Sequence, residues 1–245
     1  MRTIKLTIAY EGTDFSGWQL QPDRPTVQGL LMEACRRVLG EPVKVTGASR
    51  TDAGVHALRQ VATLNTASSL ASDRLLGALD SLLPPAIRVL EARDAPAGFD
   101  ARRAAWGKRY GYLIDRSPVA DPFLRRYAWH PGYQLDEDAM AQALAGLRGK
   151  HDFGAFCAAA GRGRTPVCTL LAARVVARRD RLAVLVSADS FLHHMVRNLV
   201  GSLVEVGRGA RPPGWMSELL SARDRALAGP TAPAHGLALL RVFYR

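Results

Sequence analysis

An Arg, an Asp and a His fall within seven residues of the stretch GASRTDAGVHAL, which runs from Gly47 to Leu58. Arg50 precedes Asp52 by two positions, and on an extended backbone two such side chains project to one side. A guanidinium beside a carboxylate favours its ionised form, the form a nucleophile requires. Gly54 lets the chain turn sharply and leaves room for a ligand beside the acid. The same residues also suit a hairpin connection with an ordinary Arg–Asp contact, so this stretch alone leaves both readings open.

Other chemistries fit less well. No Lys follows a glycine loop as a phosphate-binding P-loop needs, and no G-x-G-x-x-G follows the first strand. Ser49, Asp52 and His56 supply the letters of a hydrolase triad, but Ser49 lacks the G-x-S-x-G elbow that would present it.

Two further groupings carry chemistry-bearing types. In FDARRAAWGKRYGY, Arg102 and Arg103 are followed by Lys108, Arg109, Tyr110 and Tyr112. Cations interleaved with aromatics suit a base stacked on a ring with its phosphates neutralised nearby; two tyrosines on one strand face also suit a core. In DSFLHHMVRNLVGSLVEVG, residues 191, 192, 195, 196, 199, 200, 203 and 204 form an apolar helical face, with His193 and Arg197 one turn apart on the other. Neighbouring helical histidines diverge, and no HExxH pattern is present, so no metal is expected. HDFGAF, 151–156, reads as helix start and packing, and GRGRTP, 161–166, as a basic loop in which Arg164 suits a phosphate.

The elements that must position these groups follow from periodicity. Ile4, Leu6 and Ile8 alternate over a first strand at 2–10. Val27, Leu30, Leu31, Ala34 and Val38 recur at helical spacing. Strands are expected at 42–48, 59–66 and 86–94, with a helix at 71–82 halted by Pro84 and Pro85. The pattern returns: a strand at KRYGYLID, a helix at 135–147, a hairpin of 168–178 and 181–189, a helix at 190–206, a shorter helix, and a closing strand in GLALLRVFYR. This predicts an α+β fold of two ferredoxin-like (β-α-β-β-α-β) halves, 1–104 and 105–245, with mainly antiparallel sheets flanking a central basic cleft.

Composition narrows the partner. The 245 residues hold 33 Lys and Arg against 22 Asp and Glu, a net charge of +11. Such an excess favours polyanions, nucleic acid first, although solubility and compositional bias act in the same direction. Cys35, Cys157 and Cys168 are sparse and in no C-x-x-C spacing, which argues against disulfides and zinc and fits a reducing cytoplasm. MRTIKLTIAY has no continuous apolar core of a signal peptide, and no apolar run is long enough for a membrane span.

Taken together, these stretches resemble the tRNA pseudouridine synthase I family. GASRTDAGVHAL is similar to its active-site signature. YEGTDFSGWQLQP and TVQGLL resemble its N-terminal region, FDARRAAWGKRYGYLI its Tyr-bearing segment, and HDFGAF, SFLHHMVRNLVGSLVEVG and PAHGLALLRVFY its C-terminal half. The resemblance runs through the whole chain in order. It implies a homodimer that binds the anticodon stem-loop of tRNA and converts uridines 38, 39 and 40 to pseudouridine, with no cofactor. It further implies Asp52 as the nucleophile, Arg50 and Arg197 as basic partners, Tyr110 as the ring that stacks on the substrate, and Leu239 as an apolar wall beside the uracil. Arg102, Lys108, His193 and Arg164 are the expected RNA contacts. A non-catalytic tRNA-binding protein or chaperone would share the charge but has no need of Asp52.

Overall fold

The structure of the chain, a computed structural model, describes residues 1–158 and 165–245. The chain forms two compact units, Met1–Trp106 with Ala238–Arg245, and Gly107–Leu237. Each carries mixed α and β structure on a mostly antiparallel sheet, and the described residues include five α-helices.

In the first unit the order is β1 (Arg2–Tyr10), α1 (Val27–Leu39), β2 (Thr46–Gly47), β3 (His56–Thr66), α2 (Ser72–Leu82) and β4 (Ile87–Ala95). β1 lies between β3 and β4, antiparallel to both, and β2 pairs antiparallel with β3. Ile4, Leu6 and Ile8 are fully buried, as the alternation requires, and each contributes about 2 kcal/mol by leaving water. Val27, Leu31, Ala34 and Cys35 form the buried stripe of α1, and burial pushes the Cys35 thiol up to about 12. Thr26 caps α1 by accepting the Gly29 N–H at 3.3 Å, and Leu75 and Leu79 bury α2. A last strand, β9 (Leu237–Phe243), runs parallel to the start of β3, pairing Ala238 with His56 and Leu239 with Ala57.

The second unit contains β5 (Gly107–Asp115), α3 (Glu137–Ala145), β6 (Gly149–Asp152), β7 (Val167–Arg178), β8 (Arg181–Ala188), α4 (Met195–Gly207) and α5 (Trp215–Ala222). Its strands lie in the order β5-β8-β7-β6, all antiparallel. α4 is its most enclosed element, with Leu199, Val200 and Leu203 fully buried.

Four expectations change here. The strand expected over 42–48 shrinks to Thr46–Gly47, because Pro42 has no N–H to give and the Val45 carbonyl accepts the Gln28 side-chain amide at 2.8 Å. The helix expected from 190 starts at Met195, because His194 adopts the left-handed conformation, with φ of 60°. The closing strand, placed by sequence in the second half, groups with the first unit, and β6 is an extra short strand that interrupts the expected repeat. No helix among the described residues is long and apolar enough to cross a membrane.

Candidate active site

In the first unit, the Asp52 loop is held from beneath by the segment joining β1 to α1. The Gly17 and Trp18 carbonyls accept the Val27 and Gln28 N–H groups, so they cap α1, while the Trp18 N–H donates to the Thr51 carbonyl at 3.0 Å. The Gly54 N–H donates to Phe15 at 3.3 Å. Close approach is possible only because of glycine. A Cβ on Gly12 would lie 2.0 Å from the Val55 carbonyl oxygen, and one on Gly17, where φ is +91°, 2.7 Å from that of Thr51.

From the other side the loop is tied to β3. The buried Gln60 amide accepts the Ser49 N–H at 3.2 Å and donates to the Ser49 carbonyl at 2.7 Å, acting as a piece of backbone would. Tyr10 and Thr51 share a hydroxyl–hydroxyl bond of 2.7 Å, both residues being buried. Asp52 itself opens a turn: its carbonyl accepts the Val55 N–H at 3.2 Å, and Gly54 has a φ of +78°, as the third residue of a type II turn requires. Arg50 is exposed, Thr51 buried and Asp52 half-buried. The acid thus sits on a backbone that is hydrogen-bonded on both of its flanks.

His56 is a structural pin. It is buried, and its Nδ1 accepts the Gly12 N–H at 2.8 Å. Glu11 approaches the same ring, its Oε1 lying 3.6 Å from Nδ1. Leu239 is fully buried beside Ala57. Arg102 is exposed on a turn whose N–H groups, with those of Arg103, are held by Asp100 Oδ1 at 2.8 Å.

In the second unit, Tyr110 and Tyr112 share a face of β5 and diverge in role. Tyr112 is fully buried and its hydroxyl donates to the Pro233 carbonyl at 2.8 Å; burial pushes its phenol up, against the pull of the Arg197 charge. Tyr110 packs edge-on against Phe191, ring centres 4.9 Å apart. Lys108 is half-buried and Arg109 Nε donates to Ser187 at 2.9 Å.

Arg197 stands in the first turn of α4, half-buried, and its Nε donates to the Ala232 carbonyl at 2.7 Å. The segment that supplies this carbonyl is locked onto the helix. A Cβ on Gly201 would sit 1.7 Å from the Pro230 oxygen. Ser202 accepts the Gly229 N–H, and the fully buried Asn198 accepts from Thr231 at 2.7 Å and from Arg225 at 3.1 Å. Asn198 also donates to the Phe156 carbonyl at 2.8 Å, while Phe153 and Phe156 are fully buried, so HDFGAF does pack.

His193 differs from its sequence expectation. It precedes the helix, so it does not share a helical turn with Arg197. The His193 and His194 rings do not diverge; their centres are 3.9 Å apart. The left-handed backbone at His194 is responsible, and the Ala158 N–H holds it by donating to the His193 carbonyl at 3.0 Å. Arg164 lies outside the described residues.

The sequence reading missed Gln60, Tyr10, Asn198 and the 229–233 segment. Gln60 left a signal, a lone amide among apolar residues of a strand, and Gly201 another, a glycine inside a helix.

Comparison with known proteins agrees with the sequence resemblance. The chain matches the tRNA pseudouridine synthase family over residues 6–102 and 143–245. It is 45% identical over 244 residues to tRNA pseudouridine synthase A of Brevibacillus brevis, covering 100% of both chains. It is 46% identical over 243 residues to that of Geobacillus kaustophilus, covering 98% of this chain and 94% of the relative. With that of Myxococcus xanthus it shares 44% over 246 residues, covering 100% and 93%.

Proposed function

The chain belongs to the tRNA pseudouridine synthase family, and from that premise we propose that it isomerises uridines 38, 39 and 40 in the anticodon stem-loop of tRNA, with Asp52 as the nucleophile. The enzyme is an isomerase that modifies tRNA. One observation carries the role of Asp52: its main chain is fixed on both sides while its side chain stays half-exposed. A main chain held in this way narrows the positions from which the carboxylate can act.

The reaction breaks the C1′–N1 bond, turns the uracil in place and joins C5 to C1′, releasing the C5 proton. Nothing is oxidised and no group is transferred, so the residues of the chain suffice without a cofactor. The carboxylate adds at ring C6, attacks C1′ or removes a sugar proton; each route needs the same ionised acid. The uridine leaves its stack to be reached, and Tyr110 replaces the lost stacking. Arg50, two residues before Asp52, and Arg197, clamped at Nε, supply positive charge. Leu239 lends its apolar side chain to the uracil pocket, and Arg102, Lys108, His193 and Arg164 meet the RNA backbone. Two ferredoxin-like halves around a basic cleft, a homodimer and a cytoplasmic setting complete this reading.

The test is release of tritium from unmodified tRNA transcript labelled at uridine C5. Stoichiometric release by the wild type and none by Asp52→Asn is the expected result. Binding without release by the wild type would instead indicate a non-catalytic RNA-binding protein. Equal release by both proteins would remove Asp52 from the mechanism.

A further inference from the structure

At the far end of β9 from Leu239, Trp106 and Phe243 stack with ring centres 5.1 Å apart and planes 22° apart. The pair is fixed by the Trp106 N–H, which donates to the Phe243 carbonyl at 3.1 Å. Trp106 is nonetheless 46% exposed, so one face of the stacked pair is open to solvent. The Arg241 guanidinium lies 5.6 Å from the centre of the Phe243 ring. Beside them is a cavity of about 450 Å³ lined by Phe99, Arg103, Trp106, Tyr244 and Arg245.

The base of this patch is packed and hydrogen-bonded. Phe99 and Tyr244 pack with centres 5.3 Å apart, and Lys5 Nζ lies 4.5 Å from the Tyr244 ring. The Tyr244 hydroxyl donates to the Ala101 carbonyl at 2.7 Å, and the Ala101 N–H donates to Thr63 on β3 at 3.3 Å. Asp100, the acid of this segment, is committed to the N–H groups of its own turn. Arg103, Arg241 and Arg245 are exposed.

We propose that the Trp106–Phe243 stack is a second RNA-contact site, in which an unpaired base of the bound RNA stacks on Trp106 while Arg103, Arg241 and Arg245 neutralise its flanking phosphates. An aromatic platform ringed by guanidinium groups suits a nucleotide, whose base offers a π-face and whose phosphate offers charge. The volume falls in the range of small-ligand sites. Phe243 is four residues beyond Leu239, about 13 Å at the rise of a strand, so a single RNA strand could engage both ends of β9. This inference deepens the proposed function and rests on RNA being the substrate.

Binding of unmodified tRNA transcript to full-length wild type, Trp106→Phe and Trp106→Ala tests it by dissociation constant, with single-turnover tritium release at saturating tRNA measured alongside. The expected result is about a tenfold weaker Kd for Trp106→Ala and a change of less than about threefold for Trp106→Phe, with the saturating rate unchanged in both. The double variant R103E/R245E, two exposed positions that leave the ring pair intact, is expected to bind more weakly and to lower the salt dependence of log K. An unchanged Kd in Trp106→Ala and in R103E/R245E would overturn the proposal. So would a shift in sedimentation of Trp106→Ala with no change in Kd, which would assign the patch to a second copy of the chain. The binding arm needs no turnover, so absence of tritium release by the wild type would count against the synthase reading and leave this inference standing on its own Kd values.

Discussion

Arg197 and Ala232 bond to each other in both directions: the Arg197 Nε–H donates to the Ala232 carbonyl at 2.7 Å, and the Ala232 N–H donates back to the Arg197 carbonyl at 3.1 Å. One side-chain nitrogen is thereby tied to the backbone of the 229–233 segment, so the direction of the guanidinium is set before any RNA arrives. Lysine has neither the Nε donor nor a planar fork. Arg197→Lys is therefore expected to slow single-turnover pseudouridine formation by about a hundredfold while tRNA affinity changes less than about fivefold. A rate within threefold of the wild type would show that only the charge matters.

The clamp on Arg197 depends on contact at Gly201. Alanine is the better helix former by up to about 1 kcal/mol, so with slack around the helix Gly201→Ala would stabilise the protein. Its Cβ would instead meet the Pro230 oxygen at 1.7 Å. The expected outcome is a loss of about 2 kcal/mol in urea unfolding, together with a slower saturating rate. An increase in stability would mean that the 229–233 segment does not bear on α4.

Much of the frame was legible in the sequence because burial writes itself as periodicity. Ile4, Leu6 and Ile8 gave β1, and the stripe from Val27 to Ala34 gave α1, each from one local rule. Asp52 stood out through its neighbours Arg50 and Gly54. Other features depend on distant partners and leave no local trace. β2 is short because Val45 spends its carbonyl on Gln28. Gln60 holds Ser49 from eleven residues away, and Asn198 holds Thr231 across 33. The left-handed His194 is a further case, since histidine has no rule that demands that conformation.

Acid stability should register the network at the end of β5. Asp115 is 2% exposed. Burial disfavours its charge, but Ser117, the Asp121 N–H and Arg181 together outweigh burial and hold the carboxyl below the usual carboxylate range. A carboxyl lowered on folding stabilises the native state above its unfolded value of about 4, and that contribution is lost as pH falls through the lower folded value. Asp115→Asn is expected to cost on the order of 3 kcal/mol at pH 7 and to flatten the decline in unfolding free energy below pH 4. Urea curves that stay parallel to those of the wild type across that range would contradict the assignment.

Tyr110 separates stacking from hydroxyl chemistry, provided its structural share is measured too. Its ring is only 5% exposed and meets the edge of Phe191, so Tyr110→Ala removes packing as well as a stacking surface, a loss of about 3 kcal/mol or more. Tyr110→Phe keeps the ring and the Phe191 contact. With stacking as the role, the phenylalanine variant should unfold within about 1 kcal/mol of the wild type and retain a single-turnover rate within about tenfold. Phe191→Leu supplies the control: it loosens the same ring pair while leaving the tyrosine hydroxyl in place. If stability falls in Phe191→Leu with little change in rate, and Tyr110→Phe is inert, the hydroxyl performs the chemistry and the ring is its support. The stacking reading requires the opposite pair, an active Tyr110→Phe and a Phe191→Leu whose rate falls with the disorder of the ring.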